Sequence, residues 1–319
     1  MTQESDHPSS SGAASVDDWP AVSVVVPTMD RPVLMRRAVA SILGQDYPGS
    51  IECLVVFDGT EPNAPDVEVS ARRTMRVLRN ERAKGLAGTR NTGYLAATGA
   101  LVGTCDDDDE WLSGKLDQQV RLFTAHPDAS ASATGIVIDH RGHDIARDSP
   151  PASLTFDDLL LDRHMEVHPS SFLFRRAALN TIGLVDEDLP GGYAEDYEWL
   201  LRAARSGPVV CVPDPLVRVY WHDASFFVSR WNTIDAALTY LLEKFPEFDR
   251  QPAGKARIEG QIAFANAALG RRRVAVRFAR RSLRKSPKVK QSYAALLVAS
   301  RLVSPDRVVS TARRFGRGI

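Results

Sequence analysis

Residues 21–27, AVSVVVP, hold one polar side chain among apolar, mostly β-branched ones and stop at a proline, the pattern of a buried strand. The period then changes. In PVLMRRAVASILGQ (32–45), Val33, Leu34, Ala38, Ile42 and Leu43 predict a helix with that face inward. IECLVVFDG (51–59), TMRVLRN (74–80) and ALVGTC (100–105) read as three further strands. GLAGTRNTGYLAATG (85–99) has the small residues of a helix packed close to a sheet. Strands alternating with helices imply a mainly parallel sheet with helices on both faces, and such sheets bind ligands beyond the carboxyl ends of their strands. Pro27-Thr28-Met29-Asp30, Asp58-Gly59 and Asp106–Asp109 each follow directly on a strand, so all three are expected on one edge.

The pattern continues with a helix at KLDQQVRLFTAHP, a strand at ASATGIVI, another at SSFLFRR and a short helix at Ala177–Asn180. EDYEWLLRAARSG reads as a helix opened by Glu195 and Asp196, with Leu200, Leu201 and Ala204 inward and Gly207 as its stop. PVVCVPDPLVRVYWH supplies one or two closing strands. From about Thr233 the pattern is wholly helical: IDAALTYLLEKF, ARIEGQIAFANAAL, RRRVAVRFARRSL and QSYAALLVASRL. The middle pair is similar to one tetratricopeptide-like hairpin, and a single copy does not make a repeat array.

Charge changes this picture where composition does not. The 319 residues carry 40 Lys+Arg and 40 Asp+Glu, yet 251–319 hold 17 Lys/Arg against Glu259 and Asp306. An acidic body is therefore joined to a basic tail. The tail has three readings: packing on the body, docking on an anionic membrane surface, or binding nucleic acid. Its arginines are spread through amphipathic helices without a nucleic-acid recognition motif, which favours self-docking with a peripheral membrane contribution. Cys53, Cys105 and Cys211 lie far apart in apolar runs and read as reduced buried thiols of a cytoplasmic protein. The polar, acidic start reads as a disordered tail over 1–19, without the features of a signal peptide. No run reaches the roughly 18 apolar residues of a membrane span.

The most unusual stretch is GTCDDDDEW (103–111). A calcium loop of the EF-hand type starting at Asp106 needs glycine at its sixth position, where Trp111 stands. Two readings remain. The run is a solvated turn capping the next helix through Ser113, or it holds a hard divalent cation at a strand end. The other strand-end acids favour the second.

Four segments together, VSVVVPTMDRPVLMRRAVASILGQDYP, LVVFDGT, AGTRNTGYLAATGALVGTCDDDDEW and EDYEWLLRAARSG, resemble the family-2 glycosyltransferases over roughly residues 20–225. The resemblance implies an α/β fold of the GT-A type, with a Rossmann-like, mainly parallel sheet flanked by helices. A nucleotide-binding half (20–110), an acceptor-binding half (111–225) and a basic helical extension (226–319) are expected. It further implies an inverting, metal-dependent enzyme that moves a sugar from a nucleotide-diphosphate-sugar to a hydroxyl acceptor, either a glycan, a lipid-linked saccharide or a small molecule.

By this resemblance Pro27, Thr28 and Asp30 line the nucleotide pocket and Asp58 meets the base, since a carboxylate accepts from a ring N–H. Arg90 and, less directly, Lys84 contact the nucleotide or its phosphates; alternatively, Arg90 serves a structural ion pair and Lys84 is simply exposed. Mg²⁺ or Mn²⁺ falls to Asp108 first, with Asp106 or Asp107 on ribose or a metal-bound water, Asp109 in support and His222 near the metal. Asp196 is the expected base and Glu195 its orienting neighbour; the alternative is that both acids merely favour a helix N-terminus. Gly191 and Gly192 form a hinge or a plain turn. On the acceptor side stand His168, Gly192 and Trp221, whereas Trp111 and Trp199 read as packing. Phe57, Met29 and the stretched NERAKG depart from the family pattern and leave nucleotide and sugar open.

Rival readings are a GT-A-fold binding protein without turnover and a sugar nucleotidyltransferase. The second needs a Gly-rich, arginine-containing loop after the first strand, where this chain has PTMDRP. A nicotinamide-dependent dehydrogenase is excluded because no G-x-G-x-x-G follows that strand.

Overall fold

The computed structural model of the chain describes residues 19–221 and 230–314. Ten strands form one sheet: β1 (Val22–Thr28), β2 (Ile51–Phe57), β3 (Arg73–Arg79), β4 (Leu101–Thr104), β5 (Glu110–Trp111), β6 (Ala131–His140), β7 (His143–Ala146), β8 (Ser153–Leu154), β9 (Leu173–Arg175) and β10 (Val209–Tyr220). Their order is β3-β2-β1-β4-β9-β6-β10-β5, with β7 on β6 and β8 on β10. Neighbours among β3, β2, β1 and β4 are parallel, as are β6 and β10, while β9 runs antiparallel between β4 and β6.

The buried run of β1 shows why helices cover both faces. Val22, Val24 and Val26 pack with Met35, Ala38, Val39 and Ile42 of α1 (Pro32–Leu43), whereas Val25 faces Tyr94 of α2 (Leu86–Ala96). Gly93 lets α2 lie against the sheet: a Cβ there would come within 2.4 Å of Val25 Cγ1. The inner face of α1 starts later than expected. Val33 is 80% exposed, and Met35 and Val39 take the places expected of Val33 and Leu34. The helix begins at Pro32, so Val33 lies in its first turn and lies off the sheet.

Register aligns the carboxyl ends of the strands. Thr28 pairs with Phe57 and Phe57 with Arg79, while Thr104 pairs with Val25. The expected convergence of the three strand-end segments is therefore present. After the acidic run the chain does not enter a helix directly; Trp111 of β5 first pairs with Val217 of β10. Helix α3 (Lys115–Ala125) then starts behind Gly114 in the left-handed region, without a side-chain cap, so Ser113 does not cap it.

Helices α4 (Phe156–Leu161), α5 (Leu179–Ile182) and α6 (Glu195–Ser206) precede β10, and from Trp231 on the described chain is helical: α7 (Trp231–Lys244), α8 (Pro252–Ala268), α9 (Arg272–Lys285), α10 (Lys290–Ala299) and α11 (Pro305–Arg314). Helix α8 is buried along most of its length because it lies between α7, α4 and the pair α9–α10. The three cysteines are free and buried. No described helix is long and apolar enough to cross a membrane.

Candidate functional site

The acidic run closes as a turn, with Asp109 N–H donating to the Asp106 carbonyl at 3.0 Å. Its four carboxylates then divide into two pairs, Asp107 and Asp108 on the side of Arg31 and Asp106 and Asp109 on the side of His168. Asp107 points to β1: Thr28 Oγ1 donates to it at 2.6 Å, and Arg31 Nε at 3.1 Å. Asp108 turns to Arg31 Nη1 at 2.7 Å. Asp106 accepts from Arg90 Nη2 at 2.6 Å. Asp109 is buried and accepts from Ser170 Oγ at 2.5 Å, while Ser170 Oγ accepts from the Asp106 N–H at 3.0 Å. Burial, followed by the charges of Asp106 and Asp108, holds Asp109 well above the usual carboxylate range. Burial likewise pushes Asp107 up to about 6 against the pull of Thr28 and Arg31.

Arg90 is the hinge pin of the site. Helix α2 buries it to 3% exposure, and its second terminal nitrogen donates to Glu195 Oε1 at 2.5 Å. It thus spans the acidic turn and the start of α6. These two ion pairs are contacts of the kind that the structural alternative read from sequence requires. Glu195 sits behind an unusual turn in which Gly191, Gly192 and Ala194 all have positive φ. A left-handed alanine is uncommon, and here it aims the first two side chains of α6 into the site. A Cβ on Gly192 would stand 3.1 Å from Glu195 Oε2, and one on Gly191 would come within 2.4 Å of Thr233 in α7. Burial pushes Glu195 up to about 7 despite Arg90, and its Oε2 is buried without a hydrogen-bond partner.

Asp196 lies next to it under different control. Both of its oxygens accept from Arg163 Nη2, at 2.8 and 2.9 Å. Burial opposes ionisation, but the charge and hydrogen bonds of Arg163 outweigh it and hold Asp196 below the ordinary carboxylate range.

Among the described residues, one ligand atom each from Asp106, Asp109 and His168 lie within 4.8 Å of one another. His168 lies 3.4 Å from Asp109 and accepts from the Ser170 N–H at 3.3 Å. Burial lowers its affinity for a proton, leaving the neutral imidazole that ligates metals. Two oxygens and one imidazole nitrogen fit a divalent cation, Mn²⁺ better than Mg²⁺ by donor softness. This set shares only Asp106 with the expected one. Asp108, ranked first, is turned toward Arg31. His222 lies outside the described residues.

The remaining predicted residues are placed as follows. Pro27 is buried within β1, and Asp30 is exposed in the left-handed turn before α1. Asp58 accepts from Asn80 Nδ2 and from the Gly85 N–H, each at 2.9 Å, which anchors the loop that starts α2. Lys84 is exposed on that loop, beside Gly59. Trp221 leaves β10 with its ring edge-on to His140 at 5.9 Å. Trp111 and Trp199 are buried, the first donating to the Ser170 carbonyl at 2.7 Å. Arg31, Arg163 and Ser170 were not singled out from sequence, although Ser170 lies two residues beyond His168.

Comparison with known proteins gives the family and the fold. The model of "Glycosyl transferase family 2" matches residues 23–183. An *Escherichia coli* UDP-Glc:alpha-D-GlcNAc-diphosphoundecaprenol beta-1,3-glucosyltransferase, WfgD, is 24% identical over 238 residues, covering 74% of this chain and 85% of its own. A *Campylobacter jejuni* GalNAc(5)-diNAcBac-PP-undecaprenol beta-1,3-glucosyltransferase is 36% identical over 101 residues, 30% of this chain and 32% of its own length. Among solved structures, residues 1–349 of *S. aureus* TarS with UDP-GlcNAc superpose with a TM-score of 0.60 at 15% identity, covering 93% of this chain and 92% of that one. A mannosyltransferase from *Pyrobaculum calidifontis* with GDP-Man and Mn2+ gives 0.53 at 18% identity, covering 96% and 83%. The fold is of the GT-A type, and the chain belongs to glycosyl transferase family 2 as a glycosyltransferase.

Proposed function

We propose that the protein transfers a sugar, with inversion, from a nucleotide-diphosphate-sugar to a hydroxyl of a lipid-diphosphate-linked saccharide. The observation that carries this reading is the bridge by Arg90, which sets the acidic turn and the first turn of α6 on opposite sides of one guanidinium. The acceptor class is suggested by the lipid-linked substrates in the names of the two bacterial relatives.

In this mechanism Pro27, Thr28, Asp30, Asp58 and Lys84 surround the nucleotide. Asp106, Asp109 and His168 would hold Mn²⁺ or Mg²⁺, with Asp107 and Asp108 beside them; such a cation neutralises charge on the departing diphosphate. Asp196 takes the proton of the acceptor hydroxyl as its oxygen bonds to the anomeric carbon. The bond from that carbon to the diphosphate oxygen breaks on the opposite face, and nucleoside diphosphate leaves. Glu195 orients Asp196 or the acceptor, with His168, Gly192 and Trp221 on the acceptor side. A peripheral position on the cytoplasmic membrane face fits such an acceptor.

The test is release of nucleoside diphosphate from UDP- and GDP-sugars with Mn²⁺ and a diphosphate-linked acceptor. Asp196→Asn should keep donor binding while kcat falls by about 10²–10⁴. Donor binding without any acceptor-dependent release would favour the binding-protein reading.

A further inference from the structure

The basic extension spends only part of its charge on the acidic body, where Lys244 pairs with Asp186 and Glu198 and Arg257 lies 3.6 Å from Asp162. Helix α8 makes the contacts with α4 and α7, and α9 packs on α8 and α10 behind it. The inner face of α9 is Ala275, Ala279 and Ser282, all buried. On its outer face Arg273, Arg277, Arg280 and Arg284 are exposed at spacings that form one stripe along the helix. None of the four pairs with a carboxylate among the described residues; Arg281 and Lys285, off that stripe, neutralise the buried Glu259. Lys288 and Lys290 extend the exposed charge. The adjoining α10 and its exit leave Tyr293, Leu297 and Leu302 at 48%, 45% and 72% exposure.

We propose that this outer face of α9 and α10 is a docking surface for an anionic lipid bilayer. Arginines gain from the negative potential of anionic headgroups, and exposed leucine and tyrosine gain from the boundary with the acyl chains. A nucleic acid would satisfy the arginines and leave Leu297 and Leu302 in water. The inference deepens the proposed lipid-linked acceptor, yet stands on a surface separate from the catalytic edge, so each fails independently.

The experiment is co-sedimentation of the full chain with vesicles of phosphatidylcholine alone or with phosphatidylglycerol, at low and high salt. The protein should sediment with the anionic vesicles and be released by salt. The combined variant Arg273→Gln, Arg277→Gln, Arg280→Gln, Arg284→Gln should bind them on the order of a thousandfold more weakly at low salt, with an unchanged melting temperature. Leu297→Ser with Leu302→Ser should weaken binding in a way salt does not mimic. Equal binding of the arginine variant, equal binding to neutral vesicles, or tighter binding to an oligonucleotide than to anionic vesicles would overturn the proposal. Turnover on a water-soluble acceptor, run in parallel, should be the same for wild type and variants. Its absence in all of them would count against the proposed reaction and leave the vesicle result standing.

Discussion

A single nitrogen of Arg163 donates to both oxygens of Asp196, at 2.8 and 2.9 Å. The proposed base is therefore held ionised by a cation and fixed in direction by the same contact. His168, Glu195 and Tyr193 also face this carboxylate, but Arg163 is the group that reverses the effect of burial. Replacing Arg163 by alanine leaves burial as the dominant influence, and the Asp196 carboxyl rises. Because the base works ionised, the acidic limb of the kcat–pH profile should move to higher pH, with kcat at pH 6 falling more than kcat at pH 8. Arg163→Lys should restore part of the shift through charge alone. A profile that drops uniformly at all pH values would reduce Arg163 to a structural role.

Arg90 carries a different load. It is buried between Asp106 and Glu195, so Arg90→Met removes the cation that joins these two carboxylates. Breaking a buried pair by deleting one partner costs about 3–5 kcal/mol, which urea denaturation of the ligand-free protein should show. Glu195 gives the accompanying pH signature. Its folded pKa of about 7 lies above that of an unfolded glutamate. The stability it contributes is therefore complete below the unfolded value and lost as pH rises through about 7. In Glu195→Gln that part of the slope should disappear.

These two arginines also mark what the sequence could tell. The alternation of Val22, Val24 and Val26 against Val25 is local, so strands, helices and the shared carboxyl edge were readable from period alone. Arg90 was visible as a motif residue, though its partners were not. Arg31, Arg163 and Ser170 meet their acids across 76, 33 and 61 residues of chain. Nothing in their own neighbourhood marks them, because the sheet order, with β9 turned back between β4 and β6, decides which loops meet. Val33 failed for the opposite reason: its spacing was right, and the start of the helix at Pro32 put it in the first turn.

Ranking within the acidic run was likewise beyond a motif, since four identical side chains differ only in direction. With Asp108 on Arg31 and Asp106 beside Asp109 and His168, Asp106→Ala should abolish the rise in melting temperature that Mn²⁺ and nucleoside diphosphate produce together. Loss of a support to a metal ligand typically costs 10–100-fold in affinity, so loss of a ligand should cost about a hundredfold or more. His168→Ala should weaken Mn²⁺ binding, read by titration without donor sugar, whereas Asp108→Ala should retain it. Loss of Mn²⁺ binding in Asp108→Ala with retention in His168→Ala would return the site to the order read from sequence.

The helical extension reaches the proposed base through α8, and one glycine controls that approach. A Cβ on Gly254 would stand 1.8 Å from the Leu160 carbonyl oxygen of α4, a backbone atom that cannot rotate away. One turn further along, Arg257 donates to Tyr197 Oη at 3.1 Å, and that hydroxyl donates to the Leu159 carbonyl at 2.5 Å. Tyr197 adjoins Asp196, so pushing α8 outward strains α4 and α6 together. Gly254→Ala should cost about 1–3 kcal/mol, the usual range for overpacking, and lower Tm by several degrees. The donor edge at β1, β2 and β4 is built without α8, whereas the first turn of α6 leans on it. Kinetics should therefore show a reduced kcat with the donor KM close to wild type. A rise in donor KM at unchanged kcat would show that the extension supports the nucleotide side instead.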